Sequence, residues 1–122
     1  MAAPTVISEQ VPPGPRQDAS ITAKLATIVF SAGDSVNGNK VIMGSERVLI
    51  LVRNTGASAG TVSIASSKDA YGRKADIDAF SIAADAVVGR IFTPEGWQQV
   101  TGGRDLLITP SAVTIEIAAL RL

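Results

Sequence analysis

Short runs of valine, isoleucine and threonine recur along this chain, and turn signals separate them every 8–12 residues or so. Together these three residue types supply 33 of the 122 residues. β-branched side chains favour extended backbone, and most neighbouring runs are too close together for a parallel crossover connection. The pattern therefore predicts an all-β fold: a single antiparallel β-sandwich, jelly-roll or immunoglobulin-like, with an extended N-terminal arm.

The predicted strands differ in how clearly the sequence marks them. Residues 46–54 (ERVLILVRN) have a continuous apolar centre, which is typical of a strand buried on both faces. Residues 21–30 fit the apolar face of a helix as well as a strand, and we predict a strand over 24–30. Further strands are predicted at residues 40–43, 61–66, 77–82, 87–92, 105–109 and 112–120.

Residues 1–20 are predicted to form an arm, and residues 21–122 to form the sandwich domain. Residues 11–15 (VPPGP) lack three amide donors and favour extended or polyproline geometry. Such a terminus is either disordered or becomes ordered on a neighbouring subunit through apolar anchors at Val6, Ile7 and Val11. The residues predicted to contact another protein subunit are Thr5, Val6, Ile7, Val11, Pro12, Pro13 and Pro15.

Composition excludes several classes of function. The chain has no cysteine and no histidine, and eleven basic residues balance eleven acidic ones. Disulfide scaffolds, structural zinc sites, iron–sulfur centres and imidazole-based catalysis are therefore excluded. Dispersed basic residues argue against a nucleic-acid partner, and the longest apolar run, residues 48–52, is too short to span a bilayer. We expect no enzymatic activity, no cofactor, no metal, no nucleic-acid partner and no membrane partner.

Four carboxylates fall within one stretch of the sequence: Asp69, Asp76, Asp78 and Asp85. Paired carboxylates can perform acid–base catalysis or bind calcium. Basic residues flank these aspartates, and no neighbouring aromatic residue is placed to raise a carboxyl pKa. We interpret them as part of a solvated loop and an outward strand face. A carboxylate hydrolase is the alternative, and it requires two of them to converge in a cleft.

Trp97 and Tyr71 are the only large amphipathic rings in the chain. A carbohydrate-binding β-sandwich stacks sugar rings on exposed aromatic side chains, so this alternative requires both rings on one surface. The favoured interpretation is that Trp97 covers one end of the core after Pro94 and finds a partner for its indole N–H.

A series of segments in the second and third parts of the chain forms a recognisable pattern: residues 48–56 (VLILVRNTG), 61–64 (TVSI), 71–72 (YG), 89–94 (GRIFTP), Trp97 and 113–122 (VTIEIAALRL). With these segments, the chain from residue 36 to the end resembles small virion proteins of tailed bacteriophages, of the capsid decoration (cement) type. It departs from them at Arg90 and Ile91, where those proteins favour a proline. The arm has no counterpart in the resemblance.

The resemblance implies a β-sandwich that sits on the outer capsid surface of the virion and reinforces the shell after expansion. Its expected partners are the major capsid protein and further copies of itself, as a homotrimer or a dimer. The N-terminus has no secretory signal pattern, so we expect synthesis in the host cytoplasm. A head–tail or tail structural component is the alternative within the same class.

Overall fold

The computed structural model describes residues 4–11, 27–43, 47–67, 76–98 and 105–121. These residues form ten β-strands and no helix, so the prediction of an all-β fold is confirmed. No helix long and apolar enough to cross a membrane occurs within these ranges. The strands are β1 (Thr5–Val6), β2 (Glu9–Gln10), β3 (Ser31–Ala32), β4 (Asn39–Ile42), β5 (Val48–Asn54), β6 (Gly60–Ile64), β7 (Ile77–Ile82), β8 (Val87–Phe92), β9 (Asp105–Pro110) and β10 (Ile115–Arg121).

The strands form two five-stranded sheets that enclose one core, as in a β-sandwich. The first sheet has the order β1-β4-β9-β6-β7. The second has the order β2-β10-β5-β8, and β3 also pairs with β10. One long edge of β10 contacts β5, while the other contacts β3 near the start of the strand and β2 near its end.

The prediction of purely antiparallel pairing is wrong for two pairs, because β1 is parallel to β4 and β2 is parallel to β10. The expectation rested on short connections between consecutive strands. β1 and β2 instead pair with strands that lie far along the chain, and long connections permit parallel pairing. Both sheets are therefore mixed.

The core follows from the alternation of side chains along each strand. In β5, Val48, Ile50 and Val52 are buried, whereas the residues between them are half-buried on the opposite face. The prediction that this strand is buried on both faces thus holds fully for one face only. The remaining apolar core residues are Ile7, Val41, Met43, Val62, Ile64, Ile82, Phe92, Leu106, Ile108, Ile115, Ile117 and Ala119.

Asn54, at the end of β5, is a buried polar link between the two sheets. Its Nδ2 donates hydrogen bonds to the carbonyl oxygens of Ser58, at 2.8 Å, and of Ile82 in the first sheet, at 3.0 Å. Its Oδ1 accepts a bond of 2.9 Å from the backbone N–H of Gly56. A buried amide is stable only when its donors and acceptors are paired, and these bonds provide the pairing.

The predicted strand at 24–30 is wrong for residues 27–30, which are described and are not in a strand; residues 24–26 lie outside the described ranges. Side-chain interactions hold residues 27–30 in place of backbone pairing with a neighbouring strand. The amide of Gln10 bonds both backbone groups of Val29, donating to its carbonyl at 2.7 Å and accepting from its N–H at 2.9 Å. The Phe30 ring lies under the Arg53 guanidinium, 4.2 Å from its ring centre. The strand begins one residue later, at Ser31.

Candidate interaction surfaces

The N-terminal segment closes one side of the sandwich by joining both sheets. β1 extends the first sheet, with the Thr5 N–H donating to the Gly38 carbonyl at 3.0 Å and the Ile7 N–H donating to the Lys40 carbonyl at 2.9 Å. β2 then extends the second sheet, with Glu9 opposite Ala119. Because the segment passes from the edge of one sheet to the edge of the other, the side chain between them enters the core.

Ile7 is that side chain, and only 4% of it is exposed. The sequence prediction treated Ile7 as an anchor on a neighbouring subunit, whereas the structure places it inside its own domain. Val6 and Val11 remain at the surface, exposed by 51% and 70%. Thr5 is also exposed. Pro12, Pro13 and Pro15 lie outside the described residues, so the predicted contact set is divided between core, surface and undescribed chain.

Polar bonds hold the segment at both ends. Thr5 Oγ1 donates a hydrogen bond of 2.6 Å to Asp34 Oδ2. Asp34 Oδ1 also accepts from the backbone N–H groups of Asn37, at 2.9 Å, and Val36, at 3.2 Å. The Thr5 bond and then these backbone bonds lower the pKa of Asp34, because they favour the ionised carboxylate. At the other end, Arg121 contacts Glu9 at 3.3 Å.

On the opposite side of the sandwich, no strand of the described ranges joins the two sheets, and this side is called the open side. There, β7 is the outermost strand of the first sheet and β8 the outermost strand of the second. An apolar cleft of about 220 Å³ lies between the sheets at this side. It is lined by Ile50, Val52, Val62, Ile64, Ile77, Phe80, Val88, Gly89, Arg90 and Phe92.

A β-bulge in β7 shapes the rim of this cleft. Ile77 pairs with Ile64 and Phe80 pairs with Val62, so two residues of β7 oppose one residue of β6. Ala79, inside the bulge, has a φ of 48°, in the left-handed region that alanine rarely adopts. The extra residue puts both Ile77 and Phe80 on the cleft face. Phe80 is half-exposed at the open edge of the sheet.

Arg90 lies at the mouth of the cleft against two aromatic rings. Its guanidinium is 5.1 Å from the centre of the Trp97 ring and 5.8 Å from that of Phe92. Trp97 and Phe92 make an edge-to-face pair at 4.8 Å. Trp97 is thus half-buried and packed against the core, as its favoured interpretation predicts. Tyr71, the second ring required for sugar stacking, lies outside the described residues.

The candidate carboxylates do not form a described catalytic or metal-binding cluster. Asp76 Oδ1 accepts hydrogen bonds from the backbone and hydroxyl of Ser66, at 2.8 and 2.9 Å. Asp78 and Asp85 are exposed, and Asp85 lies in the turn before β8. Asp69 lies outside the described residues. Within the described ranges, no three acidic residues are grouped so that they could hold a metal ion.

Sequence reasoning missed the open side altogether. Strict alternation puts Ile77 on the face opposite to Phe80 and Ile82, and only the bulge unites the three. The one signal in the sequence is this mismatch, since Ile77, Phe80 and Ile82 do not share a period of two.

Comparisons with protein-family models, with curated proteins and with solved structures find no match to this chain.

Proposed function

We propose that this protein is a structural virion protein, a decoration (cement) protein that binds the outer surface of a phage capsid and stabilises the shell. The observation that carries the proposal is the N-terminal segment. It is fixed to both sheets through Ile7, yet it presents Val6 and Val11 to solvent on the way into the proline-rich run. Exposed apolar side chains on a held segment are suited to contact with another protein.

The sequence resemblance supports the same conclusion. It suggests the major capsid protein as the partner, a jelly-roll or immunoglobulin-like type for the sandwich, and self-association as a homotrimer or a dimer. A decoration protein acts through repeated contacts. Contacts that are weak individually give stable binding when symmetry repeats them over a shell. Such a role requires neither catalysis nor a cofactor.

Co-sedimentation tests the proposal directly. Expanded empty capsids, assembled from the major capsid protein of the same phage, are mixed with the purified protein and pelleted. The proposal predicts that the chain pellets at a fixed ratio to the capsid subunit. A chain that stays in the supernatant would contradict it and would favour a head–tail or tail component, which the same assay with tail structures would detect.

Surface substitutions then test the segment itself. Removing residues 1–15 would also remove Ile7 from the core, so Val6→Asp and Val11→Asp are the sharper changes. We expect each to reduce capsid occupancy while the fold is retained. Val113→Asp, at an exposed valine in the turn before β10, is the matched control and should leave occupancy unchanged.

A further inference from the structure

Among the described residues, the outer edge of β8 is an unpaired strand edge with apolar side chains. β8 pairs with β5 along one edge, and no strand of the described residues pairs with the other. Val87 and Ile91, on the outer face of the sheet, are exposed by 57% and 50%. Proteins normally cover or charge such an edge, because it offers a template for pairing with another strand.

The hydrogen-bonding direction along β8 can be read from the end of its ladder. The Asn54 N–H donates to the Ala86 carbonyl at 3.0 Å, and the Asn54 carbonyl accepts from the Asp85 N–H at 2.9 Å, so Ala86 directs its carbonyl toward β5. Antiparallel ladders alternate between hydrogen-bonded and non-bonded pairs. Val87, Gly89 and Ile91 are therefore the residues whose backbone N–H and C=O groups point away from β5, toward the open side.

We propose that β8 pairs with β8 of a second copy of the chain, antiparallel and centred on Gly89 at a two-fold axis. Val87 then lies opposite Ile91 of the second copy, and Gly89 lies opposite Gly89. Each of these pairs can exchange both of its backbone hydrogen bonds, because all three residues direct their polar groups outward. The contact also covers the two most exposed apolar side chains of the strand.

Charge selects this register over one of its two neighbours, the register centred on Arg90. A shift by one residue would oppose outer-face to inner-face side chains, so the permitted registers differ by two. That register places Arg90 of one copy directly opposite Arg90 of the other, and like charges at opposed positions are destabilising. In the Gly89-centred register Arg90 lies opposite Val88, while its guanidinium stays over its own Trp97 and Phe92 rings.

One further feature agrees with a contact at this place. The two-fold axis of an antiparallel pair runs perpendicular to the sheet, so the β7 strands of the two copies would also approach each other. That brings the half-exposed Phe80 side chains toward the same axis.

This inference deepens the self-association within the proposed function by assigning its surface and symmetry. It is tested without capsids, so its failure leaves capsid binding open, and failure of capsid binding leaves the dimer open. Light scattering on the full chain should give the mass of two copies. Ile91→Lys should raise the dimer dissociation constant about tenfold or more, whereas Val36→Lys should not change it.

Cysteine cross-linking tests the register, because the chain has no cysteine of its own. Opposed Cα atoms in a hydrogen-bonded antiparallel pair are about 5.5 Å apart, a distance that a disulfide spans. Chains carrying Val87→Cys and Ile91→Cys should form a mixed disulfide dimer when combined, and neither should cross-link to itself. Val36→Cys mixed with Val113→Cys is the matched control. A monomer, a trimer, or cross-linking no better than the control would overturn the proposal.

Discussion

Thr5 and Asp34 join the N-terminal segment to the turn that leads into β4, through a 2.6 Å hydrogen bond from Thr5 Oγ1 to Asp34 Oδ2. The same carboxylate accepts backbone bonds from the turn that follows it. One ionised side chain therefore organises the turn and holds the first strand of the chain. We therefore expect docking of this segment to depend on the protonation of Asp34.

Acid is expected to weaken this docking. The Thr5 bond, followed by the backbone bonds, holds the pKa of Asp34 in the folded protein below its ordinary value of 3.8. A carboxyl with a lowered folded pKa stabilises the fold above the ordinary pKa, and that stability is lost as the pH falls through the folded pKa. Thr5→Val should raise the pKa of Asp34 toward its ordinary value, measured by NMR titration of the side-chain carboxyl.

Ser8→Ala, at an exposed position on the same segment, is the control for this titration. Identical titration curves for Thr5→Val and the native chain would contradict the coupling.

Ile7 is expected to contribute more to stability than any exposed residue near it. Truncating a buried isoleucine removes transfer free energy and leaves a cavity, so Ile7→Ala should lower the free energy of unfolding by about 2–5 kcal/mol. Val6→Ala, at the preceding and half-exposed position, should cost less than about 1 kcal/mol. Urea denaturation followed by circular dichroism measures both. Equal and small effects would mean that the segment does not dock in solution.

Asn54 is expected to be needed for the connection between the sheets. Asn54→Ala leaves the buried Ile82 carbonyl and the Ser58 carbonyl without their donor, and it leaves the Gly56 N–H without its acceptor. At about 1 kcal/mol or somewhat more for each lost bond, the change should cost about 2–4 kcal/mol of unfolding free energy. Thr55→Val, which removes one exposed bond to the Thr114 carbonyl, is the control and should cost less than about 1 kcal/mol. A cost for Asn54→Ala as small as that of the control would show that water replaces the network.

The spacing of apolar residues predicts those strands whose side chains alternate between the core and the surface. Alternation along residues 61–64 and the apolar run in β5 indicated strands because side-chain period reports burial directly. The docking of Ile7 was not predictable in this way, since two-residue strands carry no period and their partners lie far along the chain. The cleft on the open side depends on the β-bulge at Ala79. The bulge moves the Ile77 side chain to the other face of the sheet, and the residue type at this position does not indicate that.

Phe80 and Phe92 provide the clearest contrast between the open cleft and the closed core. Both face the space between the sheets, but Phe92 is buried and packs against Trp97, whereas Phe80 is half-exposed at the rim. Phe92→Ala should therefore cost about 3–5 kcal/mol of unfolding free energy, and Phe80→Ala about 1 kcal/mol, because part of its apolar area already contacts water.

Denaturation at low protein concentration, where copies are separated, measures the cost to the single chain. At high concentration, the Phe80→Ala penalty should increase if the side chain is covered by a second copy, while the Phe92→Ala penalty should stay constant. A Phe80→Ala penalty as large as that of Phe92→Ala at low concentration would mean that the cleft is closed in solution.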